Sequence, residues 1–309
     1  MENNYQFGLG YIPETIKLGA AIYDFVFQGQ ILAGLRESKN WKQFLPQLEL
    51  QYWIPFCVTF SRLNCAEAKA RSEGLELNLS DRVLGVESGT TKQGNHLETV
   101  AEWFRKSGTV LEQVCSFTKE QISDGYNRWN EIYSLPESVR TAKRYFGGNH
   151  SWVMTKEGMI DALEYSPLQI AIPLISSYEE YERYGVVPNP APAKITAYHA
   201  VTLYYIDSIG QYHIYDSCGR TFKILASDYS LTGVKSFRDL PQNWKEKNQM
   251  DEGFFKAKDG RTLVYYKKIG TPPEMVGIAQ LTKYPLPLNP DGLPNFPEVE
   301  KKLVNPAEI

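Results

Sequence analysis

The spacing of hydrophobic residues changes about halfway along the 309-residue chain. In the first half, apolar side chains recur every three or four positions, which is typical of helices with one buried face. The clearest case is the segment 57–73, which Gly74 is placed to end. Its apolar face is formed by Val58, Phe60, Leu63, Ala66 and Ala70. The same pattern predicts further helices at 78–86, 95–108, 117–134, 138–146 and 155–165.

In the second half, short runs of β-branched and aromatic residues are separated by turn residues, which predicts strands. The sequence DSIGQ at 207–211 lies between two of these runs and predicts a hairpin turn. The predicted strands cover 167–175, 198–207, 211–217, 221–226 and 260–269.

A helical first half followed by a β-rich second half predicts an α+β protein with two lobes. The main domain is expected to cover residues 46–270, with a helical lobe at about 50–160 and a β lobe at about 165–270. Residues 1–45 are expected to form an extension wrapped on this body, and 271–309 a proline-rich, irregular tail.

Charge and composition argue against several classes of function. The formal net charge is −3 and the pI about 5.9, so the chain lacks the basic surface of a nucleic-acid-binding protein. The longest apolar runs are too short to span a bilayer, and the N-terminus lacks the pattern of a secretory signal. The four cysteines are scattered without metal-ligand spacing, so we expect no metal site and a reducing, intracellular setting. Neither nucleic acid nor a membrane is expected as a partner.

Four residues carry the pattern of a thiol nucleophile site. Cys57 begins the predicted helix, six positions after Gln51, while His199 begins a predicted strand and Asp216 follows on the next one. A thiolate is the reactive form of cysteine, and both a helix N-terminus and an imidazolium favour it. Asp216 can orient the imidazole, and the Gln51 amide can donate to a developing oxyanion. Taken alone, a free cysteine such as Cys57 is more often a small buried hydrophobic residue than a nucleophile.

These residues and the segments around them resemble the papain-like cysteine peptidases. Gln51 and Cys57 have the spacing of that family's oxyanion glutamine and nucleophile, and CVTFS resembles its CWAFS. The segment NLSD resembles its LSEQ, and the glycine of KQGN its substrate-binding glycine. Further along, YHAV resembles the segment of its catalytic histidine, and HIYDSCG resembles its IIKNSWG.

The resemblance implies a two-lobe fold, with a helical N-terminal lobe, a β-barrel-like C-terminal lobe and the active-site cleft between them. It implies a nucleophile at Cys57, an acid–base at His199, an orienting residue at Asp216 and an oxyanion donor at Gln51. The implied reaction is hydrolysis of a polypeptide through an acyl-enzyme, without a cofactor. Substrate contacts are expected from Gly94, Asn95, His96 and Ala200.

Three of these positions depart from the family's pattern. Pro55 stands where the family has glycine, Cys218 where a tryptophan shields the histidine, and Asp216 where the family has asparagine. Pro55 and Cys218 leave open a catalytically weak or inactive papain-fold protein with a structural or binding role, such as a bacteriophage virion component. Asp216 leaves open a transglutaminase-like or peptidoglycan-cleaving enzyme.

The opening GLGYIP and the wording of the helical motifs resemble bacterial and bacteriophage homologues more than lysosomal or plant enzymes. The chain is therefore expected in the cytoplasm or carried in a phage particle. Its proline-rich tail is the expected contact for a protein assembly partner.

Overall fold

The computed structural model describes residues 10–17, 19–23, 37–52, 54–175, 183–218, 222–241 and 244, and the backbone of three strands between 252 and 280. The chain divides into two compact units, residues 1–245 and 246–309. All the candidate site residues lie in the first unit.

The helices of the first unit follow the predicted pattern at its strongest points. Ser80 caps the second helix by accepting from the Val83 N–H, and Gly108 ends the third with φ 67°. Within the described residues, no helix has both the length and the apolar character needed to cross a bilayer. The helices are α1 Cys57–Ser72, α2 Asp81–Glu87, α3 Leu97–Ser107, α4 Lys119–Ser123, α5 Trp129–Tyr133, α6 Ser138–Thr141 and α7 Lys156–Ala162.

A six-stranded antiparallel sheet forms the other half of the first unit, with strand order β1-β6-β2-β3-β4-β5. Its strands are β1 His150–Trp152, β2 Leu168–Ile175, β3 Ile195–Ile206, β4 Tyr212–Tyr215, β5 Phe222–Leu225 and β6 Gly233–Phe237. Among the described strands, β1 and β5 stand at opposite ends of this order and do not pair with each other, so the sheet is not closed. The expected α+β architecture is confirmed, and the expected barrel-like closure is wrong.

The second unit contains a separate three-stranded antiparallel sheet. Its strands are β7 Glu252–Lys256, β8 Thr262–Lys267 and β9 Met275–Gln280. Residues 246–270 therefore belong to this unit rather than to the β lobe of the main domain. Strand β9 lies within 271–309, which was expected to be irregular. It was not predicted because the prolines around it obscure the short apolar run that forms it.

Helix α1 is buried on almost every side and is tied directly to the sheet. From β2, Gln169 Nε2 donates to the Val58 carbonyl at 2.6 Å and to Ser61 Oγ at 2.9 Å. From β3, Thr202 Oγ1 donates to the Ser61 carbonyl at 3.1 Å. These bonds fix the first turn of α1, which carries Cys57, against the strand that carries His199.

Two local differences from the predicted pattern have physical causes. The helix predicted at 117–134 is split, because a Thr118–Gln121 capping box starts α4 and residues 124–128 interrupt the helix before α5. Strand β6 was not predicted, since glycine, lysine and serine in GVKSF weaken its β pattern.

Candidate active site

Cys57 is the first residue of α1 and is fully buried. Phe56 precedes it and provides no side-chain cap for the helix. Because the first N–H groups of a helix have no carbonyl partner within it, this end of α1 presents backbone donors and positive potential near the sulfur. The position suits a negatively charged sulfur or oxyanion.

His199 on β3 and Asp216, immediately after β4, are brought together by the β3–β4 hairpin. His199 Nε2 lies 2.8 Å from Asp216 Oδ1, and both side chains are fully buried. Since a carboxylate only accepts, we assign the proton to Nε2. The other ring nitrogen, Nδ1, makes no hydrogen bond of good geometry with a described residue. The Cys57 side chain is the second group that interacts with this ring.

The charges around His199 favour an ionised pair. Burial lowers the pKa of His199. The negative charge of Asp216, the hydrogen bond to it and the interaction with Cys57 outweigh burial and raise this pKa to about 10. Burial also raises the pKa of Asp216, but the charges of His199 and Lys223 and the hydrogen bonds to Asp216 lower it to about 2. At neutral pH the pair is therefore an imidazolium and a carboxylate.

Lys223, on β5, is a site residue that sequence reasoning missed. Its Nζ lies 3.1 Å from Asp216 Oδ2 and 3.3 Å from the Cys218 carbonyl oxygen. Burial alternates along β5 and places Lys223 and Leu225 inward, but the apolar Phe222 and Ile224 on the opposite face hide this alternation in the sequence. A lysine on the inward face of a strand that follows a candidate catalytic aspartate indicates a buried ion pair.

Gln51 is fully buried and is held by the loop that follows Asp216. Its Nε2 donates to the Ile54 carbonyl at 3.0 Å, and its Oε1 accepts from Ser217 Oγ at 2.5 Å. Its backbone N–H donates to the Ser217 carbonyl at 3.0 Å. These bonds fix the orientation of the amide.

The N-terminal segment Gly10–Ile12 lies across Cys57. The Gly10 N–H donates to Cys57 Sγ at 3.3 Å. On either side of Tyr11, the Gly10 carbonyl accepts from Asn95 N–H at 2.8 Å, and Ile12 N–H donates to the Asn95 carbonyl at 2.9 Å. The segment is thus hydrogen-bonded both to the sulfur and to the loop before α3.

Glycine is required at two points of this contact. A Cβ at Gly94 would lie 1.8 Å from the Gly10 carbonyl oxygen, and Gly94 also has φ 108°. A Cβ at Gly10 would lie 2.2 Å from the Pro55 carbonyl oxygen. Tyr11, the residue after Gly10, is buried and shares a hydrophobic cluster with Cys57.

The four expected substrate-binding residues all lie near this segment or in that cluster. Gly94 faces Gly10, the Asn95 backbone bonds to residues 10 and 12, and His96 Nδ1 lies 2.9 Å from the Ile12 carbonyl oxygen. Ala200 is fully buried in β3, in the cluster that contains Tyr11 and Cys57. A role for these four residues in binding substrate stays a prediction.

Cys218 does not leave the His199–Asp216 bond open to water, because all three residues are at most 1% exposed. Their ligand atoms lie within 4.8 Å of one another, which makes them the candidate metal group among the described residues. However, the Lys223 ammonium already contacts Asp216 Oδ2 and would repel a second cation. The arrangement therefore favours an ion pair over a metal centre.

The structure resembles solved cysteine proteases, although no protein-family model and no curated protein sequence matches the chain. Xylellain, a cysteine protease from Xylella fastidiosa, is 14% identical, with a TM-score of 0.61 over 78% of this chain and 99% of that one. The cysteine protease and lectin-like domains of Clostridium difficile Cwp84 are 14% identical, with a TM-score of 0.59 over 85% and 62% of the two chains. The ragweed pollen protease Amb a 11, solved in its proform, is 13% identical, with a TM-score of 0.53 over 72% and 71%. At these identities the likeness concerns the fold, and the chain has the fold of the papain-like cysteine proteases.

Proposed function

We propose that this chain is a cysteine peptidase whose catalytic residues are Cys57, His199 and Asp216. The observation that carries the proposal is the position of His199, whose ring interacts with Asp216 at 2.8 Å on one side and with Cys57, at the start of α1, on the other. The likeness to solved cysteine proteases supports the same function at the level of the fold.

In the acylation step, Cys57 Sγ attacks the carbonyl carbon of a peptide bond, and the carbonyl electron pair moves to oxygen. The Cys57 N–H, which has no partner within its helix, and the Gln51 amide stabilise this oxyanion. The His199 imidazolium then gives its Nδ1 proton to the leaving amine as the C–N bond breaks. The acyl group remains on Cys57 as a thioester.

In the deacylation step, neutral His199 takes a proton from water through Nδ1, and the hydroxide so formed attacks the thioester. The C–S bond breaks, the carboxylic acid leaves, and the thiolate–imidazolium pair is restored. Asp216 holds the ring by its Nε2–H throughout, so that Nδ1 stays directed toward the reacting atoms.

We also propose that residues 10–12 keep the enzyme latent. An attack geometry places a carbonyl carbon about 3–3.5 Å from the nucleophile. Here the sulfur instead accepts a backbone N–H, from Gly10 at 3.3 Å. The segment is therefore bound as an inhibitor rather than as a bond about to be cut, and it must move before a substrate enters.

The residue held beside the nucleophile indicates the side chains that a substrate presents. Tyr11 is buried in an apolar cluster with Ala171 and Ala200 and packs edge-on against Tyr198 at a centroid distance of 6.4 Å. Gly233 lies at the hydroxyl end of the Tyr11 ring, where a Cβ would come within 3.3 Å of the oxygen. A displacing substrate is expected to place a large apolar or aromatic side chain in this pocket.

A catalytically inactive binding protein is the second candidate, and one observation favours it. Cys57 is fully buried beneath Gly10, and Pro55, which packs against Gly10, replaces the glycine found in the family. Such a protein would keep its N-terminal segment in place permanently and would bind partners elsewhere. The two candidates differ in whether Cys57 reacts once the segment is displaced.

A fluorogenic peptide library with aromatic, aliphatic and charged side chains tests the proposal. The full chain, its Gly10→Ala variant and a Cys57→Ser control are assayed in parallel. We expect cleavage after aromatic or large apolar residues to be strongest in Gly10→Ala, absent in Cys57→Ser and lost after treatment with iodoacetamide. Cleavage that persists in Cys57→Ser, or its absence from every chain, would contradict the proposal.

A further inference from the structure

Lys223 forms a closed ring of contacts with the residue that holds His199. Its Nζ contacts Asp216 Oδ2 at 3.1 Å and the Cys218 carbonyl at 3.3 Å. Asp216 Oδ1 accepts from the Cys218 N–H at 2.8 Å as well as from His199 at 2.8 Å. Because one carboxylate oxygen contacts the lysine and the other faces the histidine, Asp216 cannot rotate without breaking several bonds.

Because Lys223 and Asp216 are both buried, the charge on Lys223 acts strongly on the Asp216 carboxylate. The lysine side chain is 5% exposed and that of Asp216 is fully buried, so water screens their interaction little. A buried ammonium without a partner is costly, and so is a buried carboxylate. Together they form a pair with no net charge.

We infer that Lys223 is a positioning residue, which fixes the Asp216 carboxylate and offsets its charge so that His199 meets a hydrogen-bond acceptor without a net negative charge. The inference rests on the proposed peptidase function. In the family that the sequence resembles, the acceptor at this position is asparagine, which is neutral. The Asp216–Lys223 pair thus supplies the same acceptor oxygen and the same net charge as an asparagine.

The offset matters because His199 must both hold and release a proton. A lone carboxylate against the ring would stabilise the imidazolium so strongly that it would resist giving its proton to the leaving amine. The groups that contact this pair include His199 from β3, Lys223 from β5, Cys57 from α1 and Cys218 from the loop after β4. Lys223 is the cation in this set that neither accepts nor transfers the catalytic proton.

The inference is tested by following the protonation of His199 by NMR of the imidazole nitrogens in the full chain. The chain has four histidines, so assignment by His→Gln variants is practical. The titration is run in a Cys57→Ser background, where no thiolate contributes. Lys223→Met removes the charge and keeps the length of the side chain, whereas Lys223→Arg keeps the charge and is the matched control.

We expect Lys223→Met to raise the pKa of His199 by about one unit or more, and Lys223→Arg to leave it within about half a unit. Asp216→Asn, which removes the carboxylate and keeps the Lys223 charge, is expected to lower the pKa of His199, and Asp216→Asn/Lys223→Met is expected to lower it by about one unit less. A pKa in Lys223→Met equal to that of the parent would overturn the inference.

The double variant decides the matter if Lys223→Met does not fold. If the Lys223 charge does not act on His199, Asp216→Asn and Asp216→Asn/Lys223→Met give the same pKa for His199 within about half a unit. That result would overturn the inference. The NMR measurement needs no substrate, so the two proposals can fail separately. A wild-type chain that cleaves no peptide would contradict the proposed function alone. A His199 pKa that does not change in Lys223→Met would contradict the role of Lys223.

Discussion

Gly10 donates its backbone N–H to Cys57 Sγ at 3.3 Å, which joins the N-terminal segment directly to the candidate nucleophile. The same segment is anchored on both sides of Tyr11 by backbone bonds to Asn95. The sulfur is thus engaged by the chain itself, and any account of activity has to include how this contact opens.

Replacing Gly10 by alanine is expected to open the contact. The added Cβ would lie 2.2 Å from the Pro55 carbonyl oxygen. Because this is a backbone atom, no side-chain rotation can relieve the clash. Overpacking costs about 1–3 kcal/mol, so the rate of Cys57 alkylation is expected to rise by about tenfold or more. The rate is measured with iodoacetamide and peptide mass spectrometry. Gly185→Ala, where a Cβ meets nothing within 4 Å, is the control, and equal rates in the two variants would contradict the assigned role of Gly10.

Gln51→Ala tests the oxyanion site. With one amide donor removed, kcat is expected to fall by about 10²–10³-fold while KM changes little, since the donor acts on charge that develops during the reaction. Gln93→Ala, on an exposed glutamine, is the control. Because the Ser217 hydroxyl bonds to Gln51, the thermal midpoint of each variant should be measured as well. An unchanged kcat would show that the oxyanion is stabilised elsewhere.

The helical half carries a partly buried carboxyl, that of Glu112, whose titration should affect stability. Burial, with the nearby Glu49 charge, raises the pKa of Glu112 to about 8. A group with a raised folded pKa stabilises the fold below its unfolded pKa, near 4.3 for glutamate, and loses this contribution as the pH rises through about 8. Relative to Glu112→Gln, the wild type is therefore expected to lose stability from pH 5 to pH 9, by up to about 1.4 kcal/mol per pH unit.

Urea unfolding at pH 5, 7 and 9 measures this difference. Glu137→Gln, whose parent side chain is 77% exposed, is the matched control and should follow the wild-type curve. If Glu112→Gln also follows that curve at all three pH values, the glutamate is ionised in the folded protein and its assigned environment is wrong.

The parts of the site that sequence predicted are those with a local pattern. Cys57 stands at the first turn of a helix with clear periodicity, and His199 lies within a long β-branched and aromatic strand, so their elements were identifiable. The hairpin turn between β3 and β4 placed Asp216 on the strand beside His199. These inferences needed only neighbours in sequence and the rule that a hairpin pairs its strands.

The parts that sequence did not predict depend on contacts between distant segments. Gly10 is 47 positions from Cys57, and no periodicity relates them. The positions of β1 and β5 at opposite ends of the sheet depend on the order of its strands rather than on any one strand. Lys223 reads as an ordinary strand residue until its neighbour across the site, Asp216, is known. Long-range contacts of this kind leave almost no trace in a single sequence.

The central claim is that Cys57 is an activated nucleophile, and its alkylation by iodoacetamide at pH 6 tests this most directly. Cys65 is the internal reference, because burial raises its pKa to about 12 and it should stay unreactive in the folded protein. In the full-length Gly10→Ala chain, Cys57 is expected to be modified far faster than Cys65, and His199→Ala on the same chain should remove most of this advantage. Cys57 reacting no faster than Cys65 in native Gly10→Ala protein would contradict the account and favour a non-catalytic protein.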